Sequence, residues 1–507
     1  MSSMRSAALS LPILLAASAT AGAADPEFGE IVIDTDFFVE QPVLFGSLTD
    51  GEQHVVLAGR DDDHQQRLAI YRIDPHGGHE ARSVLSLSPG TNLIAYDVGR
   101  LGNRDALFFI EPGRILRYDL AAGKLVEFAD IRTIYGQNRA GEIVPLNFFR
   151  DVNQDDRDDL VVPDTAGYRV RLQDPDGNLG DETLLQDSSS MTVSGGIVSF
   201  ESRPLFSGDM NADGLADLAV WRGNTLRVYP QLPGSRLQGQ PQVVPLELDL
   251  LSEAEIHALQ TNRGTVGRSG TVEKLIWSIE DLNNDRLPDI LTESIFNDGV
   301  FDKRNEFRLH LGRRDGNRVA YREKEDALLA SEGLQYGLIS TDIDGDGKKD
   351  ILVRKVQLTF GRVIRALLSG NVALQLHFFR MSDNDDYAEP ANYIAKTTVR
   401  FSVSSGQVDI PAIKVADFGG DGLQDLMMQS GPDRLSIYPG VPGDSLFARE
   451  MFEMDIKLPR NGDLVAAEDI NNDSRADLII RYSAADGSEL AHTVRLLLAR
   501  PSDGSAP

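Results

Sequence analysis

Short apolar runs alternate with polar, turn-forming stretches along most of this chain. Six of the runs share one form, in which an aspartate is followed by β-branched or aliphatic residues: DLVVP, DLAVW, DILTE, DILVR, DLMMQ and DLIIR. Runs this short, rich in such residues and bounded by turn residues, are typical of β-strands. Because another apolar run precedes each intervening polar stretch, the pattern predicts a repeated unit of strand, loop and strand.

The loops of these units share a nine-residue frame with oxygen-bearing side chains at positions 1, 3, 5 and 9. The six copies read DVNQDDRDD, DMNADGLAD, DLNNDRLPD, DIDGDGKKD, DFGGDGLQD and DINNDSRAD. Such a loop offers the oxygen ligands that Ca²⁺ prefers, about 6–8 in number, with the carbonyl of position 7 and water completing the shell. The predicted metal ligands, with position 7 acting through its carbonyl, are Asp151, Asn153, Asp155, Arg157, Asp159, Asp209, Asn211, Asp213, Leu215, Asp217, Asp281, Asn283, Asp285, Leu287, Asp289, Asp342, Asp344, Asp346, Lys348, Asp350, Asp417, Asp421, Leu423, Asp425, Asp469, Asn471, Asp473, Arg475 and Asp477.

An EF-hand is the first alternative for these six acidic loops, and its other requirements are not met. An EF-hand needs a glutamate at position 12 and a helix on each side. Strand-like runs follow the loops instead, and position 12 is occupied by Val162, Val220, Thr292, Val353, Met428 and Ile480. A metal-free acidic turn is the second alternative. Six copies in register favour calcium, since turn formation alone does not require an aspartate at position 9.

The six acidic loops differ in their predicted affinity for calcium. The Asp342 loop offers four carboxylates and has Gly347 at the sharp turn, so we expect it to bind most tightly. The Asp417 loop has Gly419 at position 3, which provides no side-chain ligand, and we expect it to bind most weakly. Full occupancy would place up to six structural calcium ions in the protein.

Two degenerate copies of the frame precede the six. One keeps Asp97 and Asp105 at positions 1 and 9, and the other, which begins at Gly46, keeps only Asp50 and Gly51. We expect both to be hairpins that have lost the metal. The eight starts are 51 to 75 residues apart, and each unit contains about four predicted strands. A repeat of this length and content is typical of a β-propeller blade.

The two ends of the chain predict that the blades form a closed ring. The last unit has only three predicted strands, and the segment EIVIDTDFFVE near the N-terminus belongs to no unit. If this segment supplies the missing strand, the ring closes and no sheet edge between the first and last blades stays exposed. We therefore predict an all-β, eight-bladed propeller over residues 24–500, followed by a disordered tail at 501–507. Seven blades are the alternative, if the Gly46 unit is not a blade.

The frame, its strand context and an N-terminal secretory segment resemble the FG-GAP/VCBS repeat family, which includes the propeller of the integrin α head. The resemblance covers most of the chain after residue 23, and six of the eight loops match the calcium pattern of that family. The FG-GAP signature itself is eroded, with LFSGDMNADGLADLAV the nearest approach. The resemblance implies a calcium-binding propeller; it does not imply a particular partner.

Composition and the N-terminus indicate where such a protein works. Arg5 precedes an uncharged segment that contains LPILLAA and ends before Ala21-Gly22-Ala23, which predicts a signal peptide over residues 1–23. We expect an exported protein, periplasmic or extracellular, without a transmembrane segment and monomeric. The chain has no cysteine, so metal sites and ring closure must provide rigidity in place of disulfides. Its net charge of −28 argues against nucleic acid as a partner.

The function is predicted to lie on the face opposite the acidic loops. We call the face with the loops between the first and second strands of each blade the lower face, and the opposite face the upper face. Three stretches should lie on the upper face: 186–196, which is rich in Ser and Gly, 248–270 with a predicted helix near 252–260, and 357–375 with helical turns ending at Gly370.

The sequence contains none of the catalytic motifs that we sought, including HExxH, GxSxG, a P-loop and a dinucleotide fingerprint. His76 and His79 lie in a predicted surface turn. We expect a binding or adhesion scaffold for a protein or glycan rather than an enzyme. The alternative is a polysaccharide-acting enzyme, a lyase or hydrolase, with a carboxylate pair that sequence alone does not reveal.

Overall fold

The computed structural model describes most of the chain after residue 26. The described residues are 27–49, 51–74, 78–87, 92–136, 143–194, 197–252, 255, 271–297, 303–330, 333–357, 366, 368–387, 389–402 and 406–500. The predicted signal peptide, Asp50, His76, the C-terminal tail and most of 248–270 therefore lie outside the described part of the chain. No helix in the described part has the length and apolar character that a membrane span requires.

The described strands, numbered in chain order after β1 (Glu27–Asp34), form eight main sheets. The strands of blade 1 are β2 (Leu44–Thr49), β3 (Glu52–Arg60), β4 (Gln66–Asp74) and β5 (Gly78–Leu87). Those of blade 2 are β6 (Ala95–Leu101), β7 (Arg104–Glu111), β8 (Arg114–Asp119) and β9 (Lys124–Asp130), with β10 (Val144–Pro145) parallel to β6. Those of blade 3 are β11 (Phe149–Arg150), β12 (Asp159–Asp164), β13 (Gly167–Arg171) and β14 (Thr183–Gln186), followed by the separate hairpin β15 (Ser190–Ser194) and β16 (Ile197–Glu201).

The next three blades carry small additional elements. The strands of blade 4 are β17 (Leu205–Gly208), β18 (Asp217–Arg222), β19 (Thr225–Tyr229) and β22 (Gln242–Pro245), with the hairpin β20 (Gln231–Leu232) and β21 (Arg236–Leu237) before β22. Those of blade 5 are β23 (Thr271–Glu280), β24 (Asp289–Asn297), β25 (Lys303–His310) and β28 (Ala327–Ala330), with the hairpin β26 (Arg313–Arg314) and β27 (Val319–Ala320). Those of blade 6 are β29 (Leu334–Thr341), β30 (Asp350–Val356), β31 (Asn371–Phe379), β32 (Tyr393–Phe401) and β33 (Val408–Asp409).

The last two blades complete the ring. The strands of blade 7 are β34 (Ile413–Ala416), β35 (Asp425–Gly431), β36 (Arg434–Tyr438) and β37 (Phe452–Asp455). Those of blade 8 are β38 (Val465–Glu468), β39 (Asp477–Arg481), β40 (Thr493–Arg500) and β1. The described helices of this region are short: two 3₁₀ turns (Gly462–Leu464 and Ala484–Asp486) and α1 (Ser488–Ala491).

The N-terminal strand closes the ring, as predicted. Strand β1 is the outermost strand of blade 8 and pairs antiparallel with β40, from Glu27 opposite Arg500 to Asp34 opposite Thr493. The prediction of eight blades rather than seven is also confirmed, because β2 to β5 form a complete four-stranded sheet.

Apolar contacts between neighbouring blades hold the ring together. The described buried residues form eight apolar clusters, and each cluster combines residues of two adjacent blades, including blades 8 and 1. Both faces of an inner strand are therefore covered, which explains the unbroken apolar runs after each loop. All six residues of β12 and all five of β39 are buried.

All three predicted upper-face stretches are partly described. The 186–196 stretch contributes β15 to the hairpin between blades 3 and 4. In 357–375, helical residues end at Gly370, which has φ +67° and donates its N–H to the carbonyl of Ala366 at 2.8 Å. In 248–270, the Ser252 hydroxyl is hydrogen-bonded to the Glu255 carboxylate, the pair predicted from the capping-box pattern.

Candidate functional site

The six acidic loops have one backbone conformation. In every copy, the residues at positions 4 and 6 have positive φ, between +58° and +92°. These residues are Gln154 and Asp156, Ala212 and Gly214, Asn284 and Arg286, Gly345 and Gly347, Gly420 and Gly422, and Asn472 and Ser474. A non-glycine residue in this region costs on the order of 1–2 kcal/mol. The same conformation in loops of different sequence therefore indicates a shared constraint.

Hydrogen bonds from the backbone impose this constraint on the aspartates at positions 1 and 5. One oxygen of the first aspartate accepts the N–H of position 6 at 2.8 Å in all six loops. One oxygen of the aspartate at position 5 accepts the N–H of position 7 at 2.8 to 3.2 Å. The carboxylates thus face inward over a tightly turned backbone, where they can share one cation.

The aspartate at position 9 joins the loop to the rest of the blade. It is the first residue of the second strand, and one of its oxygens accepts an N–H from the end of the third strand, or just beyond, at 2.7 to 2.9 Å. In five of the six loops, the other oxygen accepts the N–H of position 2 at 2.9 to 3.2 Å. Strands, not helices, follow the loops, so the rejection of the EF-hand is confirmed.

Burial changes the acidity of these position-9 aspartates. It raises the pKa of five of them to about 7 and that of Asp425 to about 6, with the neighbouring carboxylates of the same loop adding to the increase. The fold therefore disfavours the charged form of each carboxyl when no cation lies beside it. A divalent cation in the loop would remove that cost.

Some buried oxygen atoms in the loops have no hydrogen-bond partner, and their positions indicate whether the loops suit a cation. Among the described residues, Asn153 Oδ1, Asp217 Oδ2 and Asp344 Oδ1 are buried ligand-position atoms without a hydrogen-bond partner. Their residues are at most 6% exposed. Buried polar atoms without a partner are rare because desolvation is costly. An oxygen-seeking ion such as Ca²⁺ fits all three positions.

The Asp342 loop brings its carboxylates closest together. Carboxylate oxygens of Asp342, Asp344 and Asp350 lie within 4.8 Å of one another. In the described part of the chain, no other group of three acidic or histidine side chains is this close together. Arg380 also contacts this loop: its guanidinium pairs with Asp344 and lies 2.7 Å from Asp346 Oδ2. Arg380 is not part of the nine-residue frame, because it comes directly after β31 and is distant in sequence from the Asp342 loop.

The Asp417 loop lacks a ligand at position 3 but has the space for one. A Cβ atom built on Gly419 would approach no atom closer than 3.9 Å, and its nearest neighbours are carboxylate atoms of Asp417, Asp425 and Asp421. The missing side chain would thus point toward the other ligands. This geometry agrees with the low affinity expected for the loop.

Neighbouring acidic loops are joined to each other around the lower face. The N–H of Lys349 donates to the carbonyl of Leu282 at 2.8 Å, which links blade 6 to blade 5. Gln424 donates to Ile343 at 3.0 Å, which links blades 7 and 6. Ala476 donates to the carbonyl of Asp417 at 2.7 Å, which links blades 8 and 7. The acidic loops of blades 5 to 8 are therefore connected in series by backbone hydrogen bonds.

On the upper face, the hairpin β15–β16 is anchored at Asp187. This buried carboxylate pairs with Arg222 at 2.5 Å and Arg227 at 3.0 Å, and Arg203 lies 3.7 Å away. Met191 and Val198 of the hairpin are more than half exposed. Residues 190–194 of the Ser- and Gly-rich stretch thus belong to a hairpin that presents apolar side chains to solvent.

The upper face also contains a cavity of about 630 Å³ between the outer part of blade 6 and blade 7. Its basic residues are Lys396, Arg400, Lys457 and Arg460. Its polar and apolar lining includes Thr398, Gln429, Ser430, Met428 and Tyr438. We call it the upper cavity. The sequence motifs did not predict it, because its residues come from three blades and share no spacing.

No family model matches the chain, and no curated protein matches it. Three solved structures illustrate the distant likenesses. The V. cholerae biofilm matrix protein Bap1 is 11% identical with a TM-score of 0.29, over 94% of this chain and 92% of that one. The WD40 domain of SCAP from fission yeast is 11% identical with a TM-score of 0.27, over 85% and 98%. The NanB sialidase from Streptococcus pneumoniae is 10% identical with a TM-score of 0.27, over 92% and 69%.

The eight-bladed architecture rests on the sheets of this chain itself.

Proposed function

We propose that this protein is an exported, calcium-stabilised β-propeller of the FG-GAP/VCBS type that acts as a binding scaffold for a protein or glycan. Calcium ions in the six acidic loops stabilise the lower face. The upper face, free of these loops, presents the ligand-binding surface. The ions have a structural role and take no part in chemistry.

One observation carries the metal assignment: six loops of different sequence share two left-handed positions and the same inward carboxylate hydrogen bonds. Hydrogen bonds alone leave buried oxygens at Asn153, Asp217 and Asp344 without a partner. A cation of the size and ligand preference of Ca²⁺ satisfies those oxygens and offsets the mutual repulsion of the carboxylates.

The composition of the upper cavity favours binding over glycan cleavage. A glycosidase needs two available carboxylates. The acidic residues that line the upper cavity are Asp409 and Asp486. Both oxygens of Asp486 already accept hydrogen bonds, from the N–H of Arg460 and from the N–H and hydroxyl of Ser483. A carboxylate so occupied is a structural group, and Asp409 alone does not form an acid–base pair.

Calcium titration of the chelator-treated protein tests the proposal. Isothermal titration should show several binding events, and the melting temperature should rise with calcium. The loaded protein, applied to a glycan array and to surface proteins, should bind without cleaving its ligand. An ion-free protein with an unchanged melting curve would refute the metal assignment, and turnover of a bound polysaccharide would favour the enzymatic alternative.

A further inference from the structure

We propose that the upper cavity binds an acidic oligosaccharide, with its carboxylates placed among Lys396, Arg400 and Arg460. This inference rests on the proposed function, since it specifies the ligand class of the same binding face. The cavity volume of about 630 Å³ lies within the range of roughly 300–1,000 Å³ common for small-molecule sites.

Charge is the first argument for an anionic ligand. The cavity lining contains four basic residues and two acidic ones, a formal charge of +2, whereas the whole chain has −28. Much of the negative charge belongs to the acidic loops on the opposite face. Local positive potential in an acidic protein selects anions at this position and repels them elsewhere.

Three of the four cations are available to a ligand. Lys457 pairs with Asp433 at 2.9 Å. Within the described ranges, the side chains of Lys396, Arg400 and Arg460 have no acidic partner within 4.0 Å, and all three residues are exposed. Their charges are therefore not neutralised by the fold. Arginine is suited to bidentate recognition of a carboxylate.

Polar and apolar groups in the lining distinguish a sugar from a simple anion. Thr398 contributes a hydroxyl and Gln429 an amide NH₂ group, both of which match sugar hydroxyls. Tyr438, which is half-buried, offers apolar surface, against which the C–H face of a sugar ring can pack.

Backbone contacts hold the cavity wall in place independently of the cationic side chains. Arg460 donates its backbone N–H to Asp486 at 2.8 Å, and its carbonyl accepts the N–H of Ile410 at 2.8 Å. Substituting the Arg460 side chain leaves both bonds intact. Variants at Arg400 and Arg460 therefore change the charge of the cavity without removing its framework.

The test uses the calcium-loaded full chain and a hyaluronan hexasaccharide, which has one uronate per disaccharide. Isothermal titration should show binding that weakens at high salt, and the methyl-esterified hexasaccharide should bind at least about tenfold more weakly. The variants Arg400→Gln and Arg460→Gln should each reduce affinity about three- to tenfold, and the double variant should abolish binding. Lys324→Gln, the same charge change on an exposed residue outside the cavity, should leave affinity unchanged.

Three outcomes would overturn the inference: no binding by folded, calcium-loaded protein; equal binding by the esterified sugar; or equal loss of affinity in the Lys324 variant. Hexaglutamate that binds more tightly than the hexasaccharide would overturn it in favour of an acidic peptide. The proposed function fails by a different measurement, namely a melting temperature that does not respond to calcium. The two failures are therefore distinguishable.

Discussion

The lower-face corners of blades 1 and 2 differ from those of blades 3 to 8, although all eight are hairpins between the first and second strands. In blade 2, Leu101 pairs directly with Arg104 across a tight turn. In blade 1, Thr49 pairs with Glu52. The other six corners contain a nine-residue acidic loop instead. A propeller corner therefore does not need the acidic loop in order to reverse the chain.

Two aspartates near the tight corner of blade 2, Asp97 and Asp105, show which interactions do not depend on the acidic loop. Asp97 Oδ2 accepts the N–H groups of both Phe148 and Phe149 at 2.8 Å, and Asp105 Oδ2 accepts the N–H of Ser47 at 2.7 Å. These carboxylates bind the backbone of an adjacent blade. Binding of N–H groups thus persists without the acidic frame, whereas the extra carboxylates of the six loops repel one another, a cost that a bound cation would offset.

Removal of calcium should give the largest effect and should separate the two kinds of corner. A ligand that binds the native state contributes ~2.7 kcal/mol per site at a hundred times its Kd, so chelation should lower the melting temperature markedly. Hydrogen exchange should show loss of protection in the loops of blades 3 to 8, while the corners of blades 1 and 2 remain protected. An equal loss of hydrogen-exchange protection in all eight corners would contradict this distinction between the acidic loops and the tight corners.

A matched pair of substitutions sharpens the comparison. Asp350→Ala and Asp97→Ala each remove a buried carboxylate that accepts two N–H groups, and each should cost roughly 2–5 kcal/mol. Only Asp350→Ala should also reduce the gain in melting temperature on adding calcium. Equal calcium responses in the two variants, measured by thermal unfolding, would show that Asp350 is only a backbone-binding group.

Adjacent acidic loops should be energetically coupled. Because Gln424 donates its N–H to Ile343, Asp342→Ala and Asp417→Ala should be non-additive by about 1 kcal/mol in unfolding experiments with calcium. Asp151→Ala and Asp417→Ala, in blades 3 and 7, should add within about 0.5 kcal/mol. Additivity in both pairs would mean that each loop acts alone.

The smallest effect is a gain of affinity in the loop that lacks a ligand. Gly419→Asp places a carboxylate where the structure has room, and should strengthen calcium binding at this loop by roughly tenfold, since affinity follows the number of charged ligands. Asp342→Ala should lower the melting temperature more than Asp417→Ala, in line with the predicted order of the loops. Gly136→Asp, at an exposed position with open space around a built Cβ atom, controls for the added charge. If the Gly419→Asp variant gives the same calcium-binding isotherm as the unmodified protein, the prediction is wrong.

The sequence predicts the hairpins, the number of blades and the closure by β1 because each depends on a local pattern or on counting strands. The acidic loops are likewise predictable, since oxygen ligands at fixed spacing are visible in sequence. Arg380 is not, because it approaches the Asp342 loop from the end of β31. The upper cavity is not predictable either: Arg400 and Arg460 are exposed residues of different blades, and no core packing marks them in the sequence.

The pairing of Glu27 with Arg500 places the two ends of the described chain next to each other. Strand β1 begins, and β40 ends, on the same side of the ring as the acidic loops. The described part of the chain therefore begins and ends on that side. A tether or fused module at either terminus would leave the opposite surface pointing outward and unobstructed.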